Sequence, residues 1–187
     1  FREADSKLLA LQFDDMYLPL TGANSAASLA SKPVRFVLMD EVDKYPPRSG
    51  GGREADPISL AKERTNTFSY NKKIFITSTP TLKTGSIWKE WESCTRKLFY
   101  YLPCPHCGKY QRLRFHQIKF AKEGTKTQRA ETAYYECPYC QGHITDADKQ
   151  KMLRQGKWMS EEESEGVKPS RKKTGFAINA IYSPWLS

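Results

Sequence analysis

The sequence predicts an α/β fold, a parallel sheet with an inserted zinc-ribbon-like β module. Three observations predict it. Two apolar segments, "VRFVLM" (34–39) and "KKIFITSTP" (72–80), flank a helical stretch. That order fits a parallel sheet covered on both faces. Two C-P-x-C pairs, Cys104/Cys107 and Cys137/Cys140, have the spacing of metal knuckles. Between Leu98 and Ile144 the composition also shifts, to Tyr-rich strands and many basic residues. The expected parts are a sheet domain over 1–97, a ribbon module over 98–144, and a helix, charged loop and returning strand over 145–187.

The elements follow in order. "KLLALQF" and "MYLPLTG" read as two short strands around the turn Asp14-Asp15. "NSAASLAS" is a short helix ended by Pro33. "PPRSGGGREADP" (46–57) is a loop of turn formers. "ISLAKERTNTF" is a helix started near Asp56-Pro57, and "SIWKEWESC" is a helix with Ile87, Trp88 and Trp91 on one side. "DADKQKMLRQG" is a helix with a capping box at Thr145 and Asp148 and a stop at Gly156. "SEEESEGVKPSRKKTG" (160–175) is charged and poor in apolar residues, as in a mobile loop. "FAINAIYSPW" is a final strand.

The 187 residues suffice for one domain with a core plus a small satellite. A net charge of +9 points to an acidic partner, nucleic acid first. No apolar run approaches the ~20 residues of a membrane span. Residues 1–13 are charged and have no small-residue cleavage site, unlike a signal peptide. The chain does not start with Met and opens in mid-pattern, as expected of a piece of something longer. The odd cysteine count, with Cys94 alone, argues for a metal site in a reducing compartment rather than a disulfide framework.

The chemistry centres on "RFVLMDEVDKYP" (35–46). In a parallel sheet, ligands sit at the carboxyl ends of the strands. Asp40 and Glu41 stand where the apolar strand runs out. One carboxylate there can hold hydrated Mg²⁺ beside phosphates, and its neighbour can deprotonate water. Asp-Glu after an apolar strand is the Walker B arrangement of a P-loop ATPase. The second strand ends in Ser78, Thr79 and Pro80, hydroxyl-bearing and placed to sense a γ-phosphate. Arg64, in the helix between, is a candidate phosphate contact. No G-x-x-x-x-G-K-[ST] phosphate loop occurs. These residues alone are therefore not expected to turn over ATP.

Cys104, Cys107, Cys137 and Cys140 can close a tetrahedral thiolate shell suited to structural Zn²⁺. His106 and His143 lie nearby and read as exposed polar residues. Residues 109–129 hold seven Lys and Arg against one acid, Glu123. Of these, Lys109, Arg112, Arg114, Lys119 and Lys122 are candidate DNA contacts, with Tyr110, Phe115 and Phe120 interleaved.

Together, "LPLTGANSAASLASKPVRFVLMDEVDKYP", "DPISLAKERTNTF", "IFITSTPTLKTGSIW", "YYLPCPHCGKYQRL" and "FAINAIYSPW" resemble the large terminase subunit of tailed bacteriophages, in the branch that includes the lambda enzyme. The resemblance runs over almost the whole chain. It implies an ATP-driven DNA-packaging motor in phage or prophage, with an N-terminal ATPase and a C-terminal nuclease. By it, Asp40 is the Mg²⁺ residue, Glu41 the catalytic glutamate, and Ser78-Thr79-Pro80 the coupling motif. It also implies double-stranded DNA, a small terminase subunit and a portal as partners, in the host cytoplasm. The nuclease acids, like the phosphate loop, are not among these residues. Two other readings fit parts of the pattern. One is a DExD-box helicase, for which "TSTP" is the third motif. The other is a non-enzymatic zinc-ribbon DNA-binding module.

Overall fold

The computed structural model describes residues 8–52, 54–164 and 173–183. The chain divides into two compact units, Phe1–Glu90 and Trp91–Ser187.

In the first unit, β1 (Ala10–Gln12) and β2 (Tyr17–Pro19) form an antiparallel hairpin. α1 (Ala26–Ala30) follows, capped by the Ser25 side chain. β3 (Phe36–Met39) leads to the acids. α2 (Pro57–Glu63) starts where Asp56 accepts from the Ile58 and Ser59 N–H groups and Pro57 takes the first helical position. It is shorter than the expected 58–68 helix, and Asn66–Phe68 tightens into a 3-10 turn. β4 (Lys73–Ile76) lies parallel to β3, with Val37 opposite Ile74 and Met39 opposite Ile76. α3 (Ser86–Glu92) starts in this unit and ends past its boundary at Glu90.

The core gathers Met39, Val42, Ile58 and Ala61, with Val37, Ile74, Ile76, Leu29 and Ile87 packed on it. One expectation is corrected. Among the described residues the sheet is covered on one face, not two. Phe36 (47%), Leu38 (72%) and Phe75 (58%) are exposed on the other. The strands are apolar at every position, but core contacts reach only alternate residues. Among the described residues the parallel sheet has two strands.

In the second unit, β5 (Arg96–Pro103) is the central strand. β6 (Tyr110–Arg112) folds back on it, antiparallel. A second sheet is built from β7 (Ile118–Lys119), then, after α4 (Lys126–Glu131), β8 (Tyr134–Glu136) and β9 (His143–Ile144). α5 (Asp146–Arg154) carries the expected capping box, with Thr145 and Asp148 bonding each other's backbone N–H. β10 (Lys157–Met159) then pairs antiparallel with β5.

The expected loop over 160–175 is corrected in part. Glu161–Ser164 forms a short helix, α6. Ser160 and Glu163 cap each other reciprocally at 3.0 Å, and Glu163 pairs with Arg96. The rest of that stretch, 165–172, lies outside the described residues. The final strand is also shifted. β11 (Thr174–Ala177) begins before "FAINAIYSPW" and runs parallel to β5. Ala180–Tyr182 then turns away as a 3-10 turn capped by Asn179. Burial of Tyr182 explains the departure. Its hydroxyl accepts from the Leu113 N–H at 2.8 Å and donates to the Tyr100 carbonyl, a bridge that a continued strand would not reach. Tyr182 and Met152 share one core with Leu102, Leu113, Tyr135, Ile144, Cys104 and Cys137. No helix among the described residues is long and apolar enough to cross a membrane.

Candidate functional site

The carboxyl tips of β3 and β4 lie side by side. The Thr77 N–H donates to the Met39 carbonyl at 2.9 Å, and the Val42 N–H to the Thr77 carbonyl at 3.3 Å. The acids and the hydroxyl-bearing segment are thus neighbours by backbone pairing. Asp40 is exposed, and its Oδ1 accepts the Glu41 N–H at 2.9 Å. Glu41 ion-pairs with Lys44 at 2.9 Å. Glu41 also has φ 54° and ψ 41°, a left-handed conformation rare outside glycine. Such strain costs about 1–3 kcal/mol and gathers at functional sites. The turn at Glu41 lies between two buried residues, Met39 and Val42.

Asp43 is the residue that sequence reasoning passed over. Its Oδ2 accepts from the Thr81 N–H and hydroxyl, and its Oδ1 from the Ile87 N–H at 2.8 Å. Its own N–H donates to the Ser78 hydroxyl at 3.1 Å. Burial pushes its carboxyl up. The donors on Ile87, Thr81 and Ser86 outweigh that and hold it below its usual value. Gly85 permits the approach, since a Cβ there would lie 2.6 Å from Asp43 Oδ2. The only sequence signal was a third acid in "DEVD". Ser78 is therefore tied to the acid loop, while Thr79 and Pro80 are exposed. Arg64 fastens α2 to α1, donating to the Ala30 carbonyl at 2.7 Å and lying 3.6 Å from Glu63.

The candidate metal site lies in the second unit. β5 delivers Cys104 and β8 delivers Cys137. The two knuckles have the same backbone. Gly108 N–H donates to the Cys104 carbonyl and Gln141 N–H to the Cys137 carbonyl, both at 2.9 Å. Gly108 (φ 70°) and Gln141 (φ 59°) are both left-handed. The four sulfurs all lie within 4.8 Å of one another. Across the knuckles, Cys104 Sγ is 3.8 Å from Cys140 Sγ, and Cys107 Sγ is 3.9 Å from Cys137 Sγ. A tetrahedron with metal–sulfur bonds of ~2.3 Å has sulfur–sulfur edges of about 3.8 Å, so the cluster is sized for a metal. Burial pushes the Cys104 thiol up to about 12. Cys137 is also raised by burial, but N–H groups of Cys140 and Tyr139 bring it down to about 7. His106 turns its ring nitrogen to the His143 carbonyl at 2.7 Å, and His143 stacks on Tyr134.

With this geometry in hand, comparison with known proteins is decisive. The family model described as phage terminase large subunit gpA, ATPase domain, matches residues 1–158. The chain belongs to this family. It is also 28% identical over 186 residues to the terminase large subunit of Enterobacteria phage P21, covering 89% of this chain and 27% of that protein. No solved structure matches. Membership in the terminase family sets aside the helicase reading.

In this terminase chain the basic residues of 109–129 are mostly engaged. Lys109 rests over the Tyr139 ring at 5.2 Å. Arg112 stacks on Phe99, its guanidinium carbon 3.5 Å from the centroid. Arg112 and Arg114 both approach Glu161, at 3.6 and 3.8 Å. Lys119 lies 3.9 Å from Glu136, and Lys122 is exposed.

Proposed function

We propose that the protein of which this chain is part packages double-stranded phage DNA by ATP hydrolysis, and that the tip of β3 supplies its catalytic acids. The observation that carries this reading is the alignment of two strand tips, with Met39 bonded to Thr77 and Asp43 to Ser78. The sheet is then part of a P-loop ATPase core. Asp40 holds Mg²⁺, which would neutralise phosphate charge when bound with ATP. Glu41 orients the attacking water and takes its proton. Ser78, Thr79 and Pro80 carry the state of the site toward DNA movement, with Asp43 as the fixed link between them and the acids. Arg64 reaches the nucleotide phosphates only by leaving the Ala30 carbonyl.

The four cysteines hold structural Zn²⁺, the metal that an all-thiolate tetrahedron suits best. The working assembly includes a small terminase subunit and a portal, in the host cytoplasm. A nuclease domain completes the large subunit. The chain spans 27% of the relative's length, and its own residues contain no phosphate loop.

The test uses the full-length protein. Glu41→Gln keeps ATP binding and loses hydrolysis by ~10²–10⁴-fold, the contribution of a positioned base. Asp40→Asn also weakens Mg²⁺-dependent binding. Hydrolysis by Glu41→Gln at the parental rate would overturn the assignment.

A further inference from the structure

We propose that Arg112 and Arg114 form a phosphate-binding site for duplex DNA, and that the Glu161 carboxylate occupies it in the free protein. The proposal rests on the DNA-packaging reading and adds a specific site and a built-in competitor to it.

The backbone aims both arginines the same way. Arg112 ends β6, Leu113 is buried in the core, and Arg114 is extended with φ −130° and ψ 140°. Alternation therefore sends both guanidinium groups off one side of the chain. Both approach a single oxygen, Glu161 Oε1, at 3.6 and 3.8 Å. An anionic oxygen held between two guanidinium forks stands where a phosphate oxygen would.

Glu161 satisfies neither guanidinium at hydrogen-bond distance. Both distances exceed the 2.7–3.2 Å of a hydrogen bond. The Arg114 and Glu161 side chains are 55% and 60% exposed, and such pairs contribute little. A phosphodiester offers two anionic oxygens and can satisfy the forks at charge-assisted distances. Arg112 is already ordered by its stack on Phe99, so binding costs it little further freedom.

The surroundings suit a polyanion. A cleft of about 700 Å³ opens beside the two arginines, lined by Tyr101, Tyr110 and Tyr139. Lys109 and Lys157 rest over Tyr139 and Tyr110, at 5.2 and 4.9 Å. Glu163 also borders the cleft, but it is held by Arg96 and the Ser160 N–H. A net charge of +9 favours a long phosphate backbone over a short acidic peptide.

The test is fluorescence anisotropy of a labelled DNA duplex with the 187-residue chain, over a range of salt. Glu161→Gln binds about fivefold tighter, because the competing anion is gone. Arg114→Gln and Arg112→Gln each bind more weakly, with a salt slope smaller by about one. In an Arg112→Gln/Arg114→Gln background, Glu161→Gln no longer improves binding. Unchanged metal content and thermal midpoint exclude misfolding, and Arg114→Gln, on an exposed side chain, keeps the test alive if Arg112→Gln unfolds. Equal affinity for wild type and Glu161→Gln would overturn the masking. Wild-type affinity in both arginine variants would place the DNA elsewhere and leave the packaging reading intact. No binding of duplex by any variant at low salt would remove the DNA reading and this site together. A poly-glutamate peptide that displaces duplex at equal charge concentration would replace DNA as the ligand.

Discussion

Asp43 and Thr81 are joined twice, since Asp43 Oδ2 accepts both the backbone N–H of Thr81 at 3.0 Å and its hydroxyl at 3.1 Å. With the Ile87 N–H at 2.8 Å, one carboxylate holds the segment after β4 and the start of α3 against the acid loop.

Asp43→Ala removes these acceptors and destabilises the first unit by about 1–3 kcal/mol, read as a lower urea midpoint. The sharper readout is amide exchange, with faster exchange at Thr81 and Ile87. Asn keeps one acceptor and restores part of the protection. Unchanged exchange at both amides in the Ala variant would show that the helix start holds itself.

The same residue gives a pH signature. Its folded carboxyl is held below the ordinary 3.8, so its contribution is fully present above that value. It is lost as the pH falls below 3.8 through the lower folded value. The stability gap between wild type and Asp43→Asn therefore narrows under acid and is flat from pH 6 to 8. A gap that widens on acidification would contradict the assignment.

Glu41 is strained by its positive φ. Glu41→Gly relieves the strain and stabilises the first unit by roughly 0.5–1 kcal/mol, net of glycine's greater freedom when unfolded. Hydrolysis in the full-length protein is lost. A destabilised Gly variant would mean that the Lys44 pair outweighs the strain.

Removal of one metal ligand should act locally. If the four cysteines hold a metal as proposed, Cys107→Ser lowers its content toward none, measured on protein purified without added metal. Cys104 and Cys137 of the same cluster share a core with Leu102, Met152 and Tyr182, so loss of protection spreads to α5 and β5 and spares β3 and β4. Acid also releases the metal, because protons compete for the thiolates. Undiminished metal content in the variant would remove Cys107 from the site.

Tyr182→Phe tests the bridge between β5 and β6. It leaves the Leu113 N–H and Tyr100 carbonyl without their partner and costs the second unit about 1–3 kcal/mol. A loss below 0.5 kcal/mol would indicate that water replaces the hydroxyl.

The legible parts were local ones. The Asp56-Pro57 and Thr145–Asp148 caps and the apolar strands are set by residues within a few positions of each other. So is the C-x₂-C geometry of the knuckles. Gly156 was read as a helix stop, and the helix does end there. The reason is tertiary, because a Cβ at Gly156 would lie 2.2 Å from the Tyr100 ring. Asp43, Tyr182 and the pairing of β11 with β5 were not legible. Each depends on a partner tens of residues away. "FAINAIYSPW" is apolar throughout and carries no mark of where a strand gives way to a turn. The open face of β3 was hidden for a related reason, since unbroken apolarity does not say how many faces are covered.

The pairing of β11 with β5 has a consequence for the nascent chain. Thr95 bonds Lys173, 78 residues further on, at the start of this pairing. At translation rates of ~5–20 residues per second, β5 waits roughly 4–16 s for its neighbour. Cys107 and Cys137 are only 30 residues apart, so the knuckles close first. A metal available during synthesis would then close the knuckles while β5 is paired only with β6, before β11 completes its sheet.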